Sequence, residues 1–142
     1  MTANKTPVHL WIIGIVSLLW NAGGVMSYLA TETGNLAAFG MPDATHGYFY
    51  SFPDWAVAVW ALGVWGAFAG SILLLLRSRF ALWSFAISVV GLIGTTYYER
   101  VVADIPEALN TSGNQLLAVA IWVITLFLTW YAWAMTKKGV LR

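Results

Sequence analysis

The chain has 142 residues, of which 60% are hydrophobic, 15% aromatic and only 9% charged, with a mean hydropathy of +0.74. A soluble domain carries about 25% charged residues, so seven basic and six acidic side chains are too few to cover a water-exposed surface of this size. The net charge of +1 offers no broad basic field for nucleic acid, and the lack of cysteine excludes disulfides, thiolate metal sites, thiol redox pairs and lipid attachment through cysteine.

A membrane-spanning helix needs about 20 mostly apolar residues. Four stretches qualify, at about 8–29, 55–76, 80–98 and 116–135, and none contains a charged residue in its centre. The first is longer than the apolar part of a signal peptide and no small-x-small cleavage site follows it, so it reads as a helix that is retained. Pro7 precedes the first stretch, Pro53 and Asp54 the second, and Glu99 and Arg100 follow the third. The linker 77–79 admits only a tight hairpin, whereas the loops at about 30–54 and 99–115 are longer. With no internal repeat or low-complexity tract, residues 1–142 read as one membrane domain. The expected architecture is an all-α, antiparallel bundle of four transmembrane helices with both termini cytoplasmic. In that orientation Lys5, Arg77, Arg79, Lys137, Lys138 and Arg142 lie inside, where loops retain their basic residues. Arg100 and all six acids (Glu32, Asp43, Asp54, Glu99, Asp104 and Glu107) lie outside.

Lipid tails do not drive helices together, so close packing of small residues and interhelical hydrogen bonds must do so. At about 100° per residue the first helix gathers Gly14, Ser17, Asn21, Gly24 and Tyr28 on one arc. The second gathers Ala56, Gly63, Gly66, Ala67 and Gly70 with Val59 and Trp60. The third aligns Ala81, Ser84, Ser88, Gly91, Thr95 and Tyr98, and the fourth Ala118, Trp122, Thr125, Thr129, Ala132 and Thr136. These faces are expected to point inward; Gly66 and Gly70 also have the spacing of a dimer seam. Trp11, Trp83, Trp130 and Trp133 fit an inner aromatic belt, and Tyr28, Trp55, Tyr97 and Tyr98 an outer one. Trp20, Trp60, Trp65 and Trp122 lie deeper, where an indole N–H needs a partner.

An ionisable group at membrane depth usually marks an ion path or proton relay. None is present here, which argues against carboxylate-coupled antiport, retinal proteins and voltage sensing. His9 and His46 fall on opposite sides, so haem is poorly served. His46 with Asp43, Glu32 or Glu99 lacks the tight spacing of a metal site, and no nucleophile turn accompanies the serines. The reading calls for no cofactor and no enzyme activity. The sequons at Asn4 and Asn110 are chance-level matches.

The loop 30–54 ends in an aromatic run from Tyr48 to Trp55, and Pro42-Asp43 has the form of a short helix start. Its plain role is a lid closing the end of the bundle. The sharper reading is a lid over a pocket lined by Asn21, Tyr28, Glu32, Tyr50, Trp55, Trp60, Tyr98 and Glu99. Aromatic rings cover apolar sugar faces while amides and carboxylates bond hydroxyls; the same groups also serve as structural hydrogen bonds, Asn21 above all.

Leu19-Trp20-Asn21-x-x-Gly24-x-x-x-Tyr28, Tyr48-Phe-Tyr-x-Phe-Pro53-x-Trp55, Trp60-Ala-x-Gly63-x-Trp-Gly66-x-x-x-Gly70 and the closing Gly139-Val-Leu-Arg142 resemble a family of small bacterial four-helix integral membrane proteins. That family often carries the automatic label "sugar transporter". The resemblance runs the length of the chain and implies a bacterial inner (cytoplasmic) membrane and the handling of a solute. Ser27 stands where relatives often have an acid. Two functions follow as expectations: binding or transport of a neutral polar solute, aided by a homo-oligomer because four short helices enclose little volume, or a non-transporting accessory or structural subunit that docks on a membrane partner. A membrane enzyme is a distant third. The topology is tested by introducing single cysteines: Ser78→Cys is expected to be labelled only from the inside and His46→Cys only from the outside by an impermeant maleimide. Outside labelling at 78 would invert the orientation.

Overall fold

The computed structural model describes residues 6–36, 43–102 and 111–142, with the helix backbone alone for 43–46. Its elements are α1 (Val8–Glu32), α2 (Asp43–Tyr50), α3 (Asp54–Leu75), α4 (Phe80–Tyr97), which runs straight into a π-helical turn (Tyr98–Val102), and α5 (Ser112–Lys137). The described residues contain no strand. Four helices, counting α4 with its π turn, are long and apolar enough to cross a membrane, as in a multi-pass membrane protein.

The helix ends follow from local chemistry. Pro7 and Pro53, both extended, open α1 and α3, because the ring holds φ and removes an N–H that a helix start cannot use. Thr111 caps α5 by accepting a hydrogen bond from the Asn114 N–H at 3.2 Å. At the far ends α1 and α5 stop in the same way: Gly34 and Gly139 take positive φ, and the next residue's N–H reaches back to Ala30 and Met135 respectively. α3 stops likewise, but with Arg77 at φ 56 in the left-handed position. A side chain there is strained. Its surroundings hold it: Arg77 donates to Thr6 Oγ1 at 2.7 Å, while the Arg142 N–H bonds the Arg77 carbonyl and the Arg142 carbonyl accepts from Arg79.

The observed helices run past the apolar stretches at α1 and α5. α1 continues through Ala30, Thr31 and Glu32, and α5 begins at Ser112 rather than 116. Backbone hydrogen bonds do not require apolar side chains, so hydropathy marks the hydrocarbon layer while caps mark the helix. α2 begins at Asp43, where the short helix was expected.

The tightest interface is between α3 and α4. A Cβ on Gly91 would collide with the backbone of Gly63 and with the Val59 carbonyl; one on Gly66 would lie 3.0 Å from the Ser84 carbonyl and the Ser88 nitrogen; and one on Gly70 would press on the Phe85 ring. Across this seam Ser84 donates to the Gly66 carbonyl and Ser88 to the Gly63 carbonyl, each at 2.7 Å. Gly66 and Gly70 thus serve packing within the chain. α1 packs on α3 and α5 on α4. Gly24 lies against Val64 and Gly14 against Leu75.

Two apolar clusters close the ends. Leu10, Leu74, Phe85, Leu128, Met135 and Leu141 form the first, at the end carrying Arg77 and Lys137. Phe52, Ala56 and Tyr98 form the second, with Tyr48, Phe49 and Trp60 against it. Outward-facing Ile15, Val16, Ile93, Val119 and Val123 are exposed, as a hydrocarbon solvent allows.

Gly91→Leu is expected to destabilise the fold by about 3 kcal/mol or more, since backbone cannot yield as side chains do. Gly23→Ala, which meets nothing within 4 Å, is expected to stabilise slightly, by about 0.5–1 kcal/mol. Thermal unfolding in one detergent compares the two.

Candidate functional site

The site originates in how α1 and α5 are carried. Each rests on a different member of the α3–α4 pair, and the two touch chiefly at one end. There His9 hydrogen-bonds the Tyr131 hydroxyl, with the rings edge to face at 5.6 Å. Leu10 joins Leu128, Tyr131 and Met135 in the apolar cluster below. Towards the opposite end the two helices part, leaving a cleft of about 530 Å³.

α1 contributes Leu19, Trp20, Asn21, Gly23, Gly24 and Ser27 to its lining. The floor is Trp60, Gly63, Val64 and Ala67 of α3 with Ser88, Leu92, Thr95 and Thr96 of α4. Glu99 of the π turn stands near the end of the cleft, and the far wall is Leu117, Ala118, Ile121, Trp122 and Thr125 of α5. The volume is within the range of small-molecule sites, about 300–1,000 Å³.

Several polar groups in this lining are committed to neighbouring helices, and Thr95 bonds within its own. Asn21 uses both amide protons on α3, donating to the Ala67 carbonyl at 3.1 Å and to Ser71 Oγ at 2.9 Å. Ser71 is fully buried and lies 2.9 Å from Ser17 Oγ, which donates to the Gly14 carbonyl. The proton inventory therefore gives a directed chain from Asn21 through Ser71 and Ser17 to backbone. Ser88 donates to Gly63 and Thr95 to the Gly91 carbonyl. Trp122 donates its indole N–H to Thr96 Oγ1 at 3.1 Å, the partner that a tryptophan at this depth requires.

Beside the cleft lies an aromatic roof. Phe52 is its centre, with its ring 4.7 Å from Tyr98, 5.3 Å from Tyr48 and 5.6 Å from Trp60. Tyr28 meets Trp60 edge to face at 5.2 Å, and Trp55 meets Tyr98 at 5.5 Å. Burial pushes the Tyr48 phenol above the usual tyrosine range, with Glu99 and then Tyr98 adding to the effect and Arg100 opposing it. Tyr48 accordingly remains a neutral hydroxyl.

Of the residues expected to line one pocket, the structure brings Asn21, Trp60 and Glu99 together in the cleft. Tyr98 and Trp55 belong to the roof, and Tyr28 packs on Trp60 and Trp65. Tyr50 Oη accepts from the Leu36 N–H, and Glu32 is exposed on the last turn of α1. None of these five lines the cleft. Gly14, Ser17, Gly24, Gly63, Gly66, Gly70, Ser84, Ser88 and Gly91 lie at helix contacts; Gly24, Gly63 and Ser88 also line the cleft, as does Thr125, and Thr129 bonds within its own helix. Ser27 and Thr96 were not singled out as site residues. Thr96 lies one position off the small face of its helix and gave no periodic signal. Among the described residues no group of three histidine or acidic side chains is placed to hold a metal; the side chains of Asp43 and His46 lie outside the described residues.

No protein-family model, curated protein or solved structure matches the chain. The cleft's chemistry must therefore be read from its own residues.

Asn21→Ala and Ser71→Ala are each expected to lower stability by about 1–2 kcal/mol, the upper range for interhelical hydrogen bonds. The double variant is expected to cost less than their sum, because both belong to one chain of bonds. A thermal double-mutant cycle reads the coupling; strict additivity would dissolve the network.

Proposed function

We propose that the chain is a small multi-pass protein of a bacterial inner membrane that binds, and as an assembly of copies moves, a neutral polar solute such as a sugar. The observation that carries this reading is the cleft of about 530 Å³ among four membrane-length helices, with Trp20, Trp60 and Trp122 beside Glu99 and Thr96. Indole surfaces cover the apolar faces of a hydroxylated solute, and a carboxylate accepts its hydroxyl protons. The helices alternate in direction, both termini face the cytoplasm, and the cleft belongs to the outer half of the bilayer. The bias of lysine and arginine towards residues 5, 77, 79, 137, 138 and 142 supports that orientation. Four helices enclose too little volume for a through-path, which favours homo-oligomers for transport. The role asks for binding groups and no reacting ones.

The test is saturable binding or uptake of radiolabelled neutral sugars in proteoliposomes, comparing wild type with Trp60→Ala and Glu99→Gln. Trp60→Ala is expected to weaken binding by about tenfold or more, consistent with loss of a large aromatic contact of about 1.5 kcal/mol; Glu99→Gln, which keeps an acceptor oxygen, is expected to weaken it less. No saturable signal with any neutral solute would return the protein to the accessory or structural role.

A further inference from the structure

The cleft differs in character along its length, and it opens sideways. α1 and α5 form its two rims and do not pack on each other at this level. Leu19 and Trp20 on one rim and Leu117 on the other are exposed, as are Gly23 and Ser27. With four membrane-length helices, a gap between two of them faces hydrocarbon.

Several donors of the cleft wall are already in use. Asn21 has both amide protons on α3, the Ser88 and Thr95 hydroxyls donate to backbone carbonyls, and the Trp122 indole is held by Thr96. Around them Leu19, Leu92 and Ile121 supply only apolar surface. A free sugar reaching this depth would meet few free donors, chiefly the Thr125 hydroxyl and the Trp20 indole N–H, and each of its hydroxyls left unpaired costs about 1–3 kcal/mol. At the other end the Glu99 carboxyl and the Ser27 hydroxyl line the same space. From Glu99 to Ser88 is 11 positions along one helix, about 16 Å at helical rise. That length reaches about halfway through a hydrocarbon core of about 30 Å.

On the reading that the cleft holds a neutral hydroxylated group, we infer that its ligand is a membrane amphiphile with an uncharged, hydroxylated head and a single hydrocarbon chain, entering from the bilayer between α1 and α5. The head lies at Glu99 and Ser27, and its hydroxyls donate to the carboxylate. The chain lies along Leu19, Leu92 and Ile121, whose apolar surface costs nothing to cover. Among the described residues no basic side chain lines the cleft to pair with an anionic head. The volume of the cleft suits one drug-sized occupant.

The probe is a monoacylglycerol with a diazirine in its acyl chain, photolysed with the protein in phosphatidylcholine nanodiscs and mapped by peptide mass spectrometry. Labelling is expected in the segments holding Leu92 and Ile121, displaced by unlabelled monoacylglycerol but not by the corresponding fatty acid or by an alkyltrimethylammonium of equal chain length. Gly23→Trp, where an added Cβ meets nothing within 4 Å, fills the mouth and is expected to abolish this labelling. Val123→Trp puts the same bulk on an exposed face of α5 and is expected to leave it unchanged. Glu99→Gln is expected to retain labelling and Glu99→Leu to lose most of it. Equal labelling of the Gly23→Trp protein, or displacement by the fatty acid, would overturn the inference. Displacement by the ammonium compound with loss on Glu99→Gln would replace the neutral head with a cationic one and also overturn it. Free glucose and glycerol binding, measured in the same nanodiscs, separates the two ideas. Saturable sugar binding without displaceable lipid labelling leaves the solute reading standing and this inference void, and absence of both removes both.

Discussion

Everything in this bundle depends on how closely α3 and α4 approach. In a hydrocarbon solvent the apolar side chains of two helices gain nothing by leaving lipid for each other, so contact must come from dispersion at short range and from polar groups that prefer a partner. Gly63, Gly66 and Gly91 remove the side chains that would hold the backbones apart. Ser84 and Ser88 then reach across to carbonyls of the opposite helix. The pair forms the spine, and the remaining helices have one surface each on which to dock.

The cleft is a consequence of that order. α1 is fastened to α3 by the chain of bonds from Asn21 through Ser71 to Ser17, and α5 leans on α4 through contacts that include Trp122 and Thr96. The outer pair is pinned where His9 meets Tyr131 and is free to diverge beyond it. Small and polar residues therefore have two roles that composition does not separate. In the spine they permit contact, and in the cleft the same residue types leave room. Gly63 and Ser88 do both, since each meets the opposite helix of the spine and also lines the opening.

The roof shows a related economy of parts. α2 and the turn after it set Tyr48, Phe49 and Phe52 against the start of α3 and the π turn after α4. Phe52 touches Tyr98 and Trp60 together, so the aromatic run that reads in the sequence as a lid is largely its own packed cluster. The π turn sets Glu99 at the cleft while its neighbour Tyr98 is buried in the roof. Adjacent residues of one helix end thereby serve different structures.

The sequence by itself determined the solvent, the number of long helices and the small faces, because each is a property of local composition and of the 3.6-residue period. Gly63, Gly66, Gly70, Ser84, Ser88 and Gly91 were legible as packing residues for that reason, and Asn21, Trp60 and Glu99 as neighbours, which the structure places in the lining of one cleft. Which small face finds a helix and which finds empty space was decided only by the tertiary structure. That choice depends on the angles at which helices cross and on where two of them are pinned, and neither is encoded in the periodicity of one segment. Ser71 and Thr96 acquire their partners only once a second helix stands opposite, since a hydroxyl's partner is set by distance in space and a helix face in isolation has none.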